Sequence, residues 1–372
     1  MIKLPEYVQN CIELLEESGF SAYAVGGAVR DSLIGVCPND WDVTTSARPE
    51  ETLEVFKNFR TIPTGIKHGT VTVLIDNDPV EVTTFRTDGE YLDARRPDSV
   101  QFVRNLKEDL SRRDFTVNAM AYNRNNGLCD LFCGQEDLTN KTLRAVGDPE
   151  TRFKEDALRI LRLFRFASTL NFKIEEATFN AALKCAPLLP KVSTERVMCE
   201  LKTAVLGENF SVIKPLIDCG GLKFIGIDTC PDFDLIKAHT ERPNLCLYLL
   251  LSGNIKCDLK LSNKEKAYIE GLNKLMPMPY ETKADIKRLL SVSNEEITRD
   301  FLSLKNASDT PLNEVLENKE PYLIGHLKIT GNDLIERGIK GEKIGEILSR
   351  LQQKVIEDPT FNTKAKLLNE IM

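Results

Sequence analysis

A chain of 372 residues is too long for one ordinary hydrophobic core, so two or more domains are expected. Its 42% hydrophobic and 28% charged residues make an ordinary soluble globular balance, and the longest apolar run, LCLYLLL at 245–251, is far too short to span a bilayer. The net charge of −7 argues against a surface coated throughout with nucleic acid, but leaves room for a local basic groove.

The first twenty residues carry acids inside an apolar pattern, which predicts an amphipathic helix and not a signal peptide. SAYAVGG, HGTVTVLID, VEVTTFR and DSVQFV read as strands, rich in β-branched and aromatic residues. RPEETLEVFKNF reads as a helix, with Pro49 in its first turn and acids after it. Beyond about residue 150 the strand signals nearly vanish. ETRFKEDALRILRLFRFASTL is predicted as one helix with an apolar stripe, and helical patterns continue from there, broken by prolines at CAPLLPK, TERPN, MPMPY and EDPTFN. The fold class is therefore α+β, a mixed head followed by an all-helical remainder. The ten cysteines form no C-x-x-C pair, and none of the three histidines (His68, His239, His326) lies near the closest two in sequence. That pattern disfavours zinc and reads as free thiols in a reducing cytoplasm.

Chemistry concentrates in YAVGGAVRDSLIGVCPNDWDVTT, residues 23–45. A strand ending at Gly26–Gly27 and a helix opening directly after them allow a close backbone approach to a ligand. The amides that follow, with Arg30 in the same turn, favour phosphate. A plain tight turn is the competing reading, and no Walker A loop is present. Asp40 and Asp42 stand at alternate positions, so on a strand their carboxylates share a face. Two like charges so close call for a cation, and Mg2+, which takes one or two carboxylates plus substrate phosphates, is the natural one.

GGAVRD followed by DWDVTT resembles the head of polymerase-β-type nucleotidyltransferases. More narrowly it is similar to the bacterial class II tRNA nucleotidyltransferases, the CCA-adding enzymes, and to the related poly(A) polymerases. VEVTTFRTDGEYLDARRP resembles the family's strand and flexible loop, RRDFTVNAMAYN at 112–123 its second head motif, and EDALRILRLFRF at 155–166 its nucleotide-selecting helix. The tail ITGNDLIERGIKGEKIGEIL is similar less specifically. The resemblance implies a catalytic head over 1–145, a helical neck over 146–205, a body over 206–280 and a tRNA-binding tail over 281–372. It implies addition of C, C and A to the 3′ end of tRNA from CTP and ATP, with pyrophosphate released. An A-adding enzyme or a poly(A) polymerase with the same site is the alternative. A degenerate, inactive RNA-binding head is a further one, against which the intact motif residues count. No His-Asp pair adjoins His239, so an appended phosphohydrolase is not expected.

The resemblance also assigns roles. Gly27 and Arg30 would hold the triphosphate and Asp40 and Asp42 the metal. Arg113 of RRDF would contact the triphosphate, Arg112 being the lesser candidate of that pair. Glu81 is either a third carboxylate or a paired strand-face residue. Asp156 and Arg159 would receive the base, with Arg162 and Arg165 assisting at the base, the ribose or the phosphates. The hydrogen-bonding inventories agree: cytosine and adenine each offer an amino donor beside a ring acceptor, matching a carboxylate and a guanidinium, whereas uracil and guanine reverse both. A surface ion pair is the bland reading of Asp156 and Arg159. The loop TDGEYLDARRPDS, either a plain surface loop or the element that helps to switch selectivity from C to A, argues against a CC-only enzyme. The acidic net charge then calls for one basic concave face and an acidic back.

Overall fold

The computed structural model describes residues 2–88, 100–255 and 259–371. It divides into two compact units, one reaching Cys246 and the other comprising Leu247–Ile255 and the chain from Leu261.

The first unit opens with helix α1 (Glu6–Glu17), strand β1 (Ala22–Val25), helix α2 (Gly27–Leu33), strand β2 (Asp42–Thr45) and helix α3 (Pro49–Val55). Strands β3 (Arg60–Ile62), β4 (Thr70–Ile75) and β5 (Asp78–Thr84) follow, then the short pair β6 (Arg86–Asp88) and β7 (Val100–Phe102). Helix α4 (Leu106–Ser111), strands β8 (Met120–Asn123) and β9 (Gly127–Asp130), helix α5 (Gly134–Thr139) and strand β10 (Thr142–Leu143) complete the head. Seven strands form one mixed sheet in the order β3-β4-β5-β2-β1-β8-β9, with only β2 and β5 parallel. Period-two patterning explains its two faces. Val43, Thr45, Val71, Val73, Val80 and Val82 are buried on the side that meets α1 and α3. The opposite side carries Asp42, Thr44, Glu81 and Thr83 in cross-strand register, and the Thr70 and Thr83 hydroxyls bond each other at 2.9 Å.

Helices α6 (Pro149–Glu155), α7 (Leu158–Leu170), α8 (Glu176–Cys185) and α9 (Thr194–Ala204) follow, with strand β11 (Lys173–Ile174) pairing β10. The single helix expected over 150–170 is thus two. Asp156 leaves the helical region (φ −136°, ψ 105°) and its carboxylate accepts the Leu158 amide at 3.0 Å. An aspartate that can cap a following helix competes with helix continuation, and here capping wins. Among the strands, β3, β8, β9, β10 and β11 were not expected from the sequence.

The second unit is helical. Asn263–Leu275, Lys283–Val292 and Glu295–Leu304 pack together. Further along, Leu334, Leu348, Leu351, Val355 and Leu367 bury one stripe around the helix Glu342–Glu357. Among the described residues no helix is long and apolar enough to cross a membrane. Of the loop TDGEYLDARRPDS, residues 89–99 lie outside the described residues.

Candidate active site

The turn between β1 and α2 is built around Gly26, whose φ of +75° is costly for any side chain. The space confirms the need: a Cβ on Gly26 would lie 3.1 Å from Nη1 of Arg113, and one on Gly27 would lie 3.5 Å from Nη2 of Arg30. Two guanidiniums therefore flank a bare backbone turn, and no side chain caps the first amides of α2. Arg113 stands half-buried with its Nε unsatisfied, and burial, only partly offset by Asp109 and Asp42, lowers its pKa. Asp109, fully buried, is shared by Arg112 (2.9 Å) and Arg113 (3.4 Å), so this corner carries more positive than negative charge.

Opposite that cation lie the acids. Asp42 opens β2, with Glu81 of β5 directly beside it in register. Asp40 precedes the strand, yet the alternation persists: Asp40 and Asp42 are exposed while Trp41 and Val43 are buried. Asp42 meets solvent on one side of a concave surround. That burial raises its carboxyl pKa, the Glu81 and Asp40 charges add to the rise, and Arg113 opposes it. Carboxylates that crowd one another in this way suit a cation bound through oxygen. Among the described residues, no three His, Cys, Asp or Glu side chains gather tightly enough to hold a metal by themselves. The residues therefore fit an ion that arrives with phosphate oxygens as its remaining ligands.

The predicted arginines of α7 are all engaged, Arg159 and Arg162 with the head and Arg165 with α9. Arg159, 8% exposed, donates to the Arg112 carbonyl (2.9 Å), the Arg152 carbonyl (3.2 Å) and Glu155 (2.7 Å). Arg162 pairs with Asp114 at 2.7 Å, and Arg165 with Glu200 of α9. Asp156, outside the helix, accepts from Arg196 of α9 at 2.9 Å. The side chains of the two residues expected to read the base are thus not paired with each other: Asp156 goes to Arg196 from the α6–α7 junction, and Arg159 goes to Glu155 and the RRDF backbone. Arg30 is buried, donating to Asp31 (2.8 Å) and to Asn118 (2.6 Å), which in turn donates to Asp114. A chain of charge-assisted bonds thus runs from α2 through the RRDF segment to α9. Asp114, Asn118, Phe166, Arg196 and Glu200 were not singled out from the sequence. Of these, Asp114 and Asn118 lie inside the motif RRDFTVNAMAYN and Phe166 inside EDALRILRLFRF, which is the signal that could have found them.

Burial alone would raise the Asp114 pKa, but Arg162, helped by the Asn118 amide, holds it down at about 2. A depressed carboxylate stabilises the fold above its unfolded value of 3.8 and loses that contribution as pH falls through 3.8 toward 2. Asp114→Asn is accordingly expected to destabilise the protein at pH 7 by about 2 kcal/mol, the worth of such a shift. The difference from the unsubstituted chain should narrow between about pH 4 and pH 2, read by urea denaturation across that range. A constant difference would mean that the loss is steric.

A model of the poly A polymerase head domain matches residues 22–144, and one described as a probable RNA- and SrmB-binding site of polymerase A matches 171–226. The CCA-adding enzyme of Enterococcus faecalis is 38% identical, with 96% of this chain and 93% of that protein covered. That of Pediococcus pentosaceus is 37% identical, with 98% and 97% covered. Among solved structures, the Bacillus stearothermophilus CCA-adding enzyme in complex with CTP superposes with a TM-score of 0.80 at 31% identity, covering 98% of this chain and 97% of that one.

Proposed function

We propose, from the premise that this chain belongs to the family of CCA-adding enzymes, that it adds C, C and A to the 3′ end of tRNA from CTP and ATP without a template. The observation that carries the reading is the acid pair Asp40 and Asp42, flanked in register by Glu81, facing Arg113 across the bare Gly26–Gly27 turn. Relatives that match over nearly the full length of both chains supply the substrate.

The 3′-hydroxyl oxygen of the tRNA attacks the α-phosphorus of the nucleotide, a new P–O bond forms, and the α–β bridging bond breaks to release pyrophosphate. The family works with a divalent metal, and we assign Mg2+, held by Asp40 and Asp42. When bound it lowers the pKa of the hydroxyl and neutralises charge on the leaving group. Glu81, in register with Asp42, serves either as a third ligand or as a paired strand-face residue whose charge tunes Asp42. The chain's own part is positioning and charge neutralisation. Gly26 and Gly27 admit the triphosphate to the backbone amides, Arg113 meets it from beside Gly26 with its Nη1, and Arg30 lies over Gly27. Asp156 and Arg159 read the base edge, and Arg162 and Arg165 hold the wall beside them. In the finer division proposed for the chain, the head is 1–145, the neck 146–205, the body 206–280 and the tail 281–372, the last three embracing the tRNA. The enzyme's place is the cytoplasm, where its tRNA substrate lies.

The test supplies tRNA ending at the discriminator base, or already carrying CC, with CTP, ATP or both, and sequences the products. Addition should run through C, C and A and then stop. Extension only from tRNA ending in CC would mean an A-adding enzyme, and a long A tail on unrelated RNA would mean a poly(A) polymerase.

A further inference from the structure

Three of the arginines assigned to the nucleotide, drawn from two different elements, converge on one aromatic ring. The guanidinium carbons of Arg30, Arg162 and Arg165 lie 5.1, 5.3 and 3.9 Å from the centroid of Phe166. The ring is 7% exposed, and Phe115 meets it edge-on at 5.9 Å. Each arginine also has a carboxylate: Asp31 for Arg30, Asp114 for Arg162 and Glu200 for Arg165. The cluster is therefore close to neutral as a whole. Pairing balances the charge, and the electron-rich ring at the centre adds an attraction for all three guanidiniums. An aliphatic side chain of similar size would fill the space without that attraction.

The geometry also gives the ring a place in a sequence of contacts. Arg159, Arg162 and Phe166 stand at i, i+3 and i+7 on α7, and so share one face. They meet successive points of the RRDF segment: Arg159 the Arg112 carbonyl at 2.9 Å, Arg162 the Asp114 carboxylate at 2.8 Å, and Phe166 the Phe115 ring. The same segment carries Arg113, which lies against Gly26. Where α7 sits on that segment thus decides how far the base-reading end of the helix stands from the phosphate turn.

We propose that Phe166 is a positioning residue, resting on the functional reading above: its ring gathers Arg30, Arg162 and Arg165 and so registers α7 against the phosphate turn and the metal-binding acids. It touches no reacting atom. Its loss shifts nucleotide affinity and base selection more than it shifts the chemical step.

The experiment replaces Phe166 with phenylalanines of increasing ring fluorination, up to the pentafluoro form, which drain the negative face at nearly constant volume. Phe166→Leu serves as a second probe. Trp41, the only tryptophan, is buried between the two catalytic aspartates in sequence, so its fluorescence reports CTP binding without turnover. The affinity for CTP should fall stepwise along the series, by roughly tenfold at its end. KM should rise more than kcat falls, and the C-to-U incorporation ratio should drop. A CTP affinity and a C-to-U ratio that stay flat along the series, whatever happens to the Tm, would overturn the proposal and leave Phe166 as core packing. If Phe166→Leu fails to fold, the fluorinated series still decides. An unsubstituted chain that extends no tRNA would overturn the functional reading instead, while the Trp41 titration would still settle the role of the ring.

Discussion

Asp42→Ala is expected to reduce nucleotide addition by three orders of magnitude or more while the protein stays folded, and Asp40→Ala to do nearly the same. Both side chains are exposed, so their removal leaves no cavity, and Arg113 keeps Asp109. What is lost is the pair of oxygens that would carry the metal. Metal ions supply several kcal/mol of charge stabilisation in phosphoryl-type transfer, and each 1.36 kcal/mol is tenfold in rate. Removing Asp42 also lifts a like charge from Glu81 and Asp40 and an opposite charge from Arg113. The Tm is therefore expected to hold or to rise slightly, and titration with Mg2+ should not rescue the rate. Single-turnover incorporation of labelled CMP, with thermal unfolding alongside, gives both readings. If either variant kept near-normal turnover with Mg2+, the metal assignment would be wrong. Glu81→Ala separates the two readings of that residue: a loss comparable to that of Asp42→Ala makes it a ligand, and a small change in KM makes it a tuning charge.

The parts of this site that are legible in the sequence are those whose chemistry is written in a few consecutive residues. A positive-φ turn needs glycine, and Gly26 is one. Two exposed acids around a buried tryptophan follow from the two-residue period of an extended chain. The break at Asp156 was also readable, because an aspartate immediately before an apolar periodic run is a helix-start signal. The strong apolar stripe of EDALRILRLFRF masks that signal. What no local pattern announces is the partner set. Arg162 finds Asp114 48 residues away, and Arg165 finds Glu200 35 residues away. Such pairings are set by the packing of α7 on the head and on α9. For the same reason Arg159 reaches the Arg112 carbonyl and Glu155, whereas Arg162 and Arg165 share Glu200.

Arg159→Ile is expected to flatten the preference among the four nucleoside triphosphates. In the structure Arg159 does two things, and the two have different signatures. It latches α7 to the head through the Arg112 carbonyl, and it pairs with Glu155 at the junction where Asp156 turns. Losing the latch costs stability, but Glu155 keeps Arg152 at 2.8 Å and is not left as a lone half-buried charge. That part of the effect lowers the Tm and slows all four nucleotides in proportion. The further role proposed for the guanidinium is to donate toward N3 of cytosine or N1 of adenine, the positions at which uracil and guanine carry a hydrogen of their own. Its removal takes a hydrogen bond from the right bases and an opposed donor from the wrong ones. Each effect lies within about 1–3 kcal/mol. At about 1.4 kcal/mol apiece, tenfold each, the C-to-U and A-to-G ratios of kcat/KM should fall by about 100-fold. Isoleucine fills the site without a donor, so water entering the gap recovers little of the discrimination. Measured kcat/KM for all four triphosphates separates the roles: ratios that stay at their original values while the Tm falls would leave Arg159 as a latch alone.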